Sequence, residues 1–178
     1  MTAKAKAKTV AFTTSKGTAM YPWLNRADYQ YDKAGKFKVQ LRVSNDDAKP
    51  LMEAIKLAAE EAFGKEDAKS ARMPFKKDAE TGEVIFSTAS KFKPKIVDST
   101  GAIIQEVNEP AIYGGSTLKL AGTMYPYNAG GGQGVSLQLA GVQIIELSEG
   151  SGAASVSFGA EEGGFVASND NDTGDHNF

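Results

Sequence analysis

The sequence predicts an all-β domain with one inserted helix, followed by an acidic tail. Three observations carry that reading. Residues 37–43 alternate strictly between apolar and polar side chains. Residues 47–63 repeat apolar positions at helical spacing. After Leu147 the composition shifts to Gly, Ser, Ala, Asp, Asn and Glu. The chain therefore divides into a flexible basic N-terminal arm (1–9), a folded domain (10–147) and a disordered acidic tail (148–178), whose composition cannot bury enough apolar surface to offset the entropy of ordering.

Taken in order, residues 10–14 are short and β-prone, and Tyr21-Pro22-Trp23-Leu24 follows a turn at Gly17. Residues 29–32 read as the start of a strand, and Lys33-Ala34-Gly35 as a hairpin-type loop. In 37–43, Phe37, Val39, Leu41 and Val43 share one face while Lys36, Lys38, Gln40 and Arg42 share the other, the pattern of a half-buried antiparallel strand. Residues 47–63 form the helix. Asn45, Asp46 or Asp47 caps it, Pro50 is tolerated in its first turn, and Leu51, Ile55, Ala58, Ala59 and Ala62 line one face; Gly64 stops it. Residues 65–80 are polar and read as a mobile loop.

Residues 83–87 and 92–97 read as strands, and 102–107 as a short one. Residues 117–127 form a long strand with Leu118, Leu120 and Met124 on one face and Thr117, Lys119, Thr123, Tyr125 and Tyr127 on the other. A flexible glycine turn at 130–134 returns the chain as a strand over 135–147. Gly122 and Gly141 inside these strands mark bulges or bends. Many strands with one inserted helix is the pattern of a small closed barrel, of which the five-stranded OB-fold is the commonest case.

Composition removes several function classes. Among 178 residues there is no cysteine, hence no disulfide, thiol nucleophile or zinc ribbon, and the one histidine is His176 in the tail. No metal or other cofactor is expected. No apolar run approaches the ~20 residues that span a bilayer. The N-terminus, Met1 to Lys8, is basic with no apolar stretch behind it and does not read as a secretory signal. A cytoplasmic setting fits.

The net charge of −2 conceals an asymmetry. Residues 1–145 hold all 20 basic side chains against 15 of the 22 acids, a balance of +5; from Glu146 onward there are seven acids and no Lys or Arg. A basic body joined to an acidic tail suits a polyanion site with an internal competitor, or equally a solubilising tail.

A single-strand binder needs cations for phosphates and flat rings on which bases stack. Lys36, Lys38 and Arg42 share an outward strand face. Lys91, Lys93 and Lys95 alternate along 90–95. Lys119 shares a face with Tyr125 and Tyr127. Each lysine alone is as well explained by solubility and edge protection; the set, on a +5 body, points to a polyanion. Tyr127 is the leading stacking candidate and Tyr125 a further one; Trp23 reads equally as a stacking platform or a lid on the barrel, while Phe37, Phe86 and Phe92 read as core. The loop 130–134 opens no helix and is not a phosphate cradle. Asp170, Asp172, Asp175 and Phe178 form an acidic, aromatic-ended segment suited to a basic, pocketed partner.

These segments, in order, resemble the single-stranded DNA-binding proteins of short-tailed, podovirus-type phages. The matching pieces are Met20-Tyr21-Pro22, Ala27-Asp28-Tyr29, residues 35–39 with Asn45 ahead of the helix, Val97-Asp98-Ser99, Gly114-Gly115-Ser116, Leu118-Lys119, Pro126-Tyr127, residues 135–139, Glu146-Leu147 and Val166-Ala167-Ser168. The resemblance implies a non-enzymatic OB-fold protein that coats single strands in phage replication, recombination and repair in the cytoplasm of the infected host, and that promotes annealing. It implies a homodimer, and a tail that recruits the phage DNA polymerase and primase-helicase and occupies the DNA groove when DNA is absent. It puts Tyr127 at a base-stacking position, Lys119 at a basic groove position and Phe178 at the tail's terminal aromatic. The sequence departs from the family at Ala121, where a lysine is expected, in a tail with fewer acids, and across 63–83. The competing reading is a phage structural or assembly β-protein without DNA affinity. A carboxylate-dependent hydrolase would need two facing acids, which no strand face supplies.

Overall fold

The computed structural model describes residues 9–149, which form eight strands and one long helix. The strands are β1 (Val10–Thr13), β2 (Gly17–Asp28), β3 (Lys36–Val43), β4 (Phe75–Lys77), β5 (Val84–Ser90), β6 (Lys95–Val97), β7 (Thr117–Ala129) and β8 (Gly132–Glu146); the helices are α1 (Asn45–Phe63) and the single turn α2 (Lys65–Ala68). Antiparallel ladders join β2 to β3 and β3 to β5, β5 lies parallel to β8, and β8 pairs antiparallel with β7 along nearly its whole length. A short ladder, Gly17↔Leu118 and Thr18↔Thr117, brings β7 back to β2, so the order of pairing is circular. The three short strands flank this path: β1 on β7, β4 on β5, β6 on β8.

The core follows from alternation. Val39, Leu41 and Val43 of β3, Val84 and Phe86 of β5, Leu118, Leu120 and Met124 of β7, and Val135, Leu137 and Leu139 of β8 turn inward and are buried together. The helix α1 lays Ala48, Leu51, Ile55, Ala58 and Ala59 into this cluster, packing on β1, β7 and β8. Its cap is Ser44, whose Oγ accepts the Asp47 N–H at 3.3 Å, rather than one of the three residues that follow. Ala62 is exposed, because Phe63 makes the last contact of the helix with the core. Gly64, at φ 87°, ends the helix as expected.

Several elements differ from the sequence reading. The second strand begins at Gly17 and runs through Pro22, because one extra residue is accommodated as a bulge between Met20 and Trp23. Residues 29–32 leave the strand in a bend, and the Asp32 carboxylate accepts the Ala34 N–H in the turn at 33–34. The segment 65–80 holds α2 and β4 instead of a loop; Phe75 sits edge-on to Phe86 at 6.0 Å and fixes β4 against β5. Strand β6 starts only after Pro94, which has no N–H for a ladder, and Phe92 before it is 75% exposed instead of core. Residues 102–107 keep one bridge, Val97↔Ile103, and then turn as a 3-10 helix. The glycine turn is tighter than expected: Ala129 pairs with Gly132, leaving Gly130 and Gly131 as the tip. The bulges expected near Gly122 and Gly141 are present as one extra residue in β8, Ala140, opposite the Ala121–Gly122 step.

No helix among the described residues is long and apolar enough to cross a membrane. Residues 1–8 and 150–178 lie outside the described residues, and with them the basic arm, Asp170, Asp172, Asp175, His176 and Phe178.

Candidate functional site

The aromatic candidate with the best-defined surroundings is Tyr127. It lies on the outward face of β7, directly opposite Gly134 of β8. A side chain at Gly134 would begin 2.5 Å from the Tyr127 hydroxyl and 2.9 Å from the Arg72 carbonyl, so the bare glycine lets the ring and the 72–74 segment close over β8. Main-chain bonds from Arg72 N–H to the Gln133 carbonyl (2.9 Å) and from Val135 N–H to the Arg72 carbonyl (3.0 Å) hold that segment on the edge of β8.

Together these elements enclose a groove of about 600 Å³, with Tyr21, Tyr127, Lys38, Gln40 and Arg72 among its lining. Tyr21 enters from the β2 bulge. It is the one non-glycine residue with positive φ (49°) among the described residues, and its side chain is 72% exposed. That conformation costs about 1–3 kcal/mol and persists only where the surroundings hold it, here the bulge and Pro22. No carboxylate lines the groove.

The electrostatics are local. Lys38 donates to the buried Asp28 at 2.6 Å, and its ammonium stands 5.5 Å from the centre of the Tyr31 ring, itself 84% exposed. The Lys38 ammonium, and then the Gln30 N–H at 2.9 Å, hold the Asp28 carboxyl below the usual carboxylate range, so the pair stays ionised well into mild acid. Arg72 makes no ion pair among the described residues and is the uncompensated cation of the groove.

The three basic stripes read from the sequence do not form one surface. On β3, Lys36 pairs with Asp32 at 3.8 Å, and Arg42 pairs with Asp78 (3.7 Å) and Glu83 (3.5 Å); only Lys38 reaches the groove. Arg42 instead ties β3 to the β4–β5 turn. Lys91 and Lys93 lie in a bend, not on a strand face. Lys93 bonds to Glu109 at 2.8 Å and Glu106 at 3.1 Å, and these carboxylates, Glu109 foremost, raise its pKa. Lys95 and Lys119 line a second groove, separate from the tyrosines. Tyr125 is exposed on β7 outside both. Trp23 sits opposite Lys38 on β2, outside the groove lining, with the Arg26 guanidinium 5.3 Å from its ring centre.

Sequence reasoning missed Tyr21, Tyr31 and Arg72. Tyr21 had a signal, since a proline inside a strand marks a bulge. Arg72 had none, because its place depends on pairing across sixty residues. Among the described residues no group of acids or histidines could hold a metal ion.

Comparison with known proteins places this geometry. The family described as Enterobacter phage Enc34, ssDNA-binding protein matches residues 13–173. The single-stranded DNA-binding protein of Enterobacteria phage T3 is 30% identical over 204 aligned positions, covering 90% of this chain and 87% of that protein. Its counterpart in Escherichia phage T7 is 30% identical over 199, covering 88% and 85%. The crystal structure of the T7 protein gp2.5 superposes with a TM-score of 0.66 at 28% identity, covering 90% of this chain and all of that one. The single-stranded DNA-binding protein of bacteriophage Enc34, solved in complex with ssDNA, shares the fold with a TM-score of 0.63 at 17% identity, over 83% of this chain and 95% of that one. The chain thus belongs to the family of phage single-stranded DNA-binding proteins typified by that of phage Enc34.

Proposed function

We propose that the chain binds and coats single-stranded DNA with little sequence preference during phage DNA replication, recombination and repair, and promotes annealing of complementary strands. The observation that carries this reading is the groove of about 600 Å³ in which Tyr21 and Tyr127 stand with Lys38 and Arg72, and which no carboxylate lines. Every base has a π-face, so rings of this kind take any sequence, and the cations follow the phosphates. Members of such a family are binders, and the chain is not an enzyme.

The circular order of pairing supports a five-stranded OB barrel formed by β2, β3, β5, β7 and β8, with residues 10–147 as the DNA-binding domain. The acids Asp170, Asp172 and Asp175 with Phe178 support a tail that engages basic partners, the phage DNA polymerase and primase-helicase; a homodimer is part of the same proposal. Of the cations read from the sequence, Lys38 is kept in the DNA site. Lys36, Arg42, Lys91, Lys93, Lys95 and Lys119 are proposed as flanking charge, with Trp23 and Tyr125 as outlying rings.

Titrating the protein with oligo(dT) at several salt concentrations tests the reading. The logarithm of the affinity is expected to fall linearly with the logarithm of salt, with a slope of about −0.7 for each phosphate neutralised. Affinity that ignores salt, or no affinity in dilute buffer, would overturn it.

A further inference from the structure

Asp28, the last residue of β2, is the one buried charged residue among the described residues. Both of its oxygens are occupied. Oδ1 accepts the Gln30 N–H at 2.9 Å, and Oδ2 accepts the Lys38 ammonium at 2.6 Å. Asp28 does not itself line the tyrosine groove, whereas Lys38 does. The carboxylate therefore reaches the groove only through that ammonium.

The other ion pairs of β3 are of a different kind. Asp32, Asp78 and Glu83, the partners of Lys36 and Arg42, are 33%, 22% and 38% exposed and stand 3.5–3.8 Å away. Such surface pairs are weak, so a phosphate can take the cation at little cost. Asp28 is 5% exposed and anchored by main chain, and parting it from Lys38 would leave a buried charge without a partner. An ammonium has three donors. One stays on Asp28, the Tyr31 ring stands 5.5 Å away, and the rest remain for a phosphate. A phosphate oxygen touching the ammonium at about 2.8 Å lies about 5 Å from the carboxylate. Coulomb energy falls with the inverse of distance, so the carboxylate offsets about half of the attraction. The pair as a whole carries no net charge, and it adds little to the counter-ions released on binding.

We propose that Asp28 is a positioning residue of the DNA site, which fixes Lys38 at the groove and cancels much of its charge toward the strand. The assignment rests on the tyrosine groove being the DNA site. Lys38 then acts as an oriented hydrogen-bond donor that places the backbone, while Arg72 supplies the charge of the groove. The result is a looser grip than the lysine content implies, suited to a coat that is laid down and removed.

Salt titrations of oligo(dT) binding by the full chain test this. Asp28→Asn keeps the shape of the side chain and leaves Lys38 its charge. Its plot of log affinity against log salt is expected to be steeper than the parent's by about 0.7, the equivalent of one more phosphate neutralised. With the two lines converging near about 1 M salt, binding at about 50 mM salt is about eightfold tighter. The double variant Asp28→Asn with Lys38→Met replaces one neutral pair by another. It is expected to keep the parent's slope and to bind more weakly, because the donor is gone. A merely structural role for Asp28 would weaken binding and lower the urea midpoint without steepening the line. A slope for Asp28→Asn equal to or shallower than the parent's would overturn the proposal. So would a double variant shallower than the parent by about 0.7, since Lys38 would then count in full despite Asp28. That second comparison holds even where the single variant folds poorly. A parent chain that ignores oligo(dT) would overturn the reading of the site and this proposal with it, whereas the slopes of the variants bear on Asp28 alone.

Discussion

Tyr127→Ala is expected to weaken binding of oligo(dT) by about 1–3 kcal/mol, the range found when one base-stacking ring is removed. That corresponds to a loss of about fivefold to over a hundredfold in affinity. The ring is held ready for a base. Its strand is paired along its whole length with β8, and the bare Gly134 beneath the hydroxyl fixes how closely the side chain lies against the sheet. Little ordering is left to be done on binding, so the loss falls on the contact itself. Tyr127→Phe keeps the ring and is expected to bind nearly as the parent does. Both variants should unfold at the parent's urea midpoint, since the ring is half-buried at the surface and outside the core cluster. Fluorescence titration at one fixed salt concentration measures the difference. An unchanged affinity for Tyr127→Ala would take this residue out of the site.

Gly122→Ala is expected to destabilise the fold by about 3 kcal/mol, at the upper end of what inserting bulk into a packed site costs. A methyl group here would run into the Gln138 carbonyl of the neighbouring strand and come within 3.0 Å of the Phe12 ring. The first obstacle is main chain, and it cannot rotate aside. Relief would require parting β7 from β8 at the point where Ala140 already bulges. The same glycine lets Phe12 of β1 cover the strand. Urea unfolding followed by circular dichroism gives the midpoint; a midpoint equal to the parent's would show that the close approach is not needed.

Much of the fold was legible because its signals are local. The alternation of 36–43, the helical spacing of Leu51, Ile55, Ala58 and Ala59, and the stop at Gly64 depend on neighbours in sequence, and each was placed. Strand β4 was not, because three residues become a strand only by pairing with β5 and seating Phe75 against Phe86. Residues 91–95 misled for a different reason. Their alternation is real, but Pro94 interrupts the ladder, and the chain bends instead of extending.

The site was legible by type more than by place. Lysines and tyrosines on outward strand faces were identified, yet their charge balance was not. Asp28, Asp32, Asp78 and Glu83 come from turns and strand ends that sequence periodicity does not bring near β3, and together they pair with every cation of that stripe. Lys119 and Tyr127 share a strand face but lie eight residues apart on it, and they open onto different grooves. Arg72 became visible only through its main-chain bonds to β8.

The central claim is that an unpaired strand lies over Tyr21 and Tyr127. Photo-crosslinking with a single-stranded oligonucleotide bearing 5-iodouracil, followed by mass mapping of the adducts, tests it at the level of residues. The account predicts adducts on Tyr21 and Tyr127. Adducts that avoid both tyrosines and collect elsewhere on the surface would contradict it.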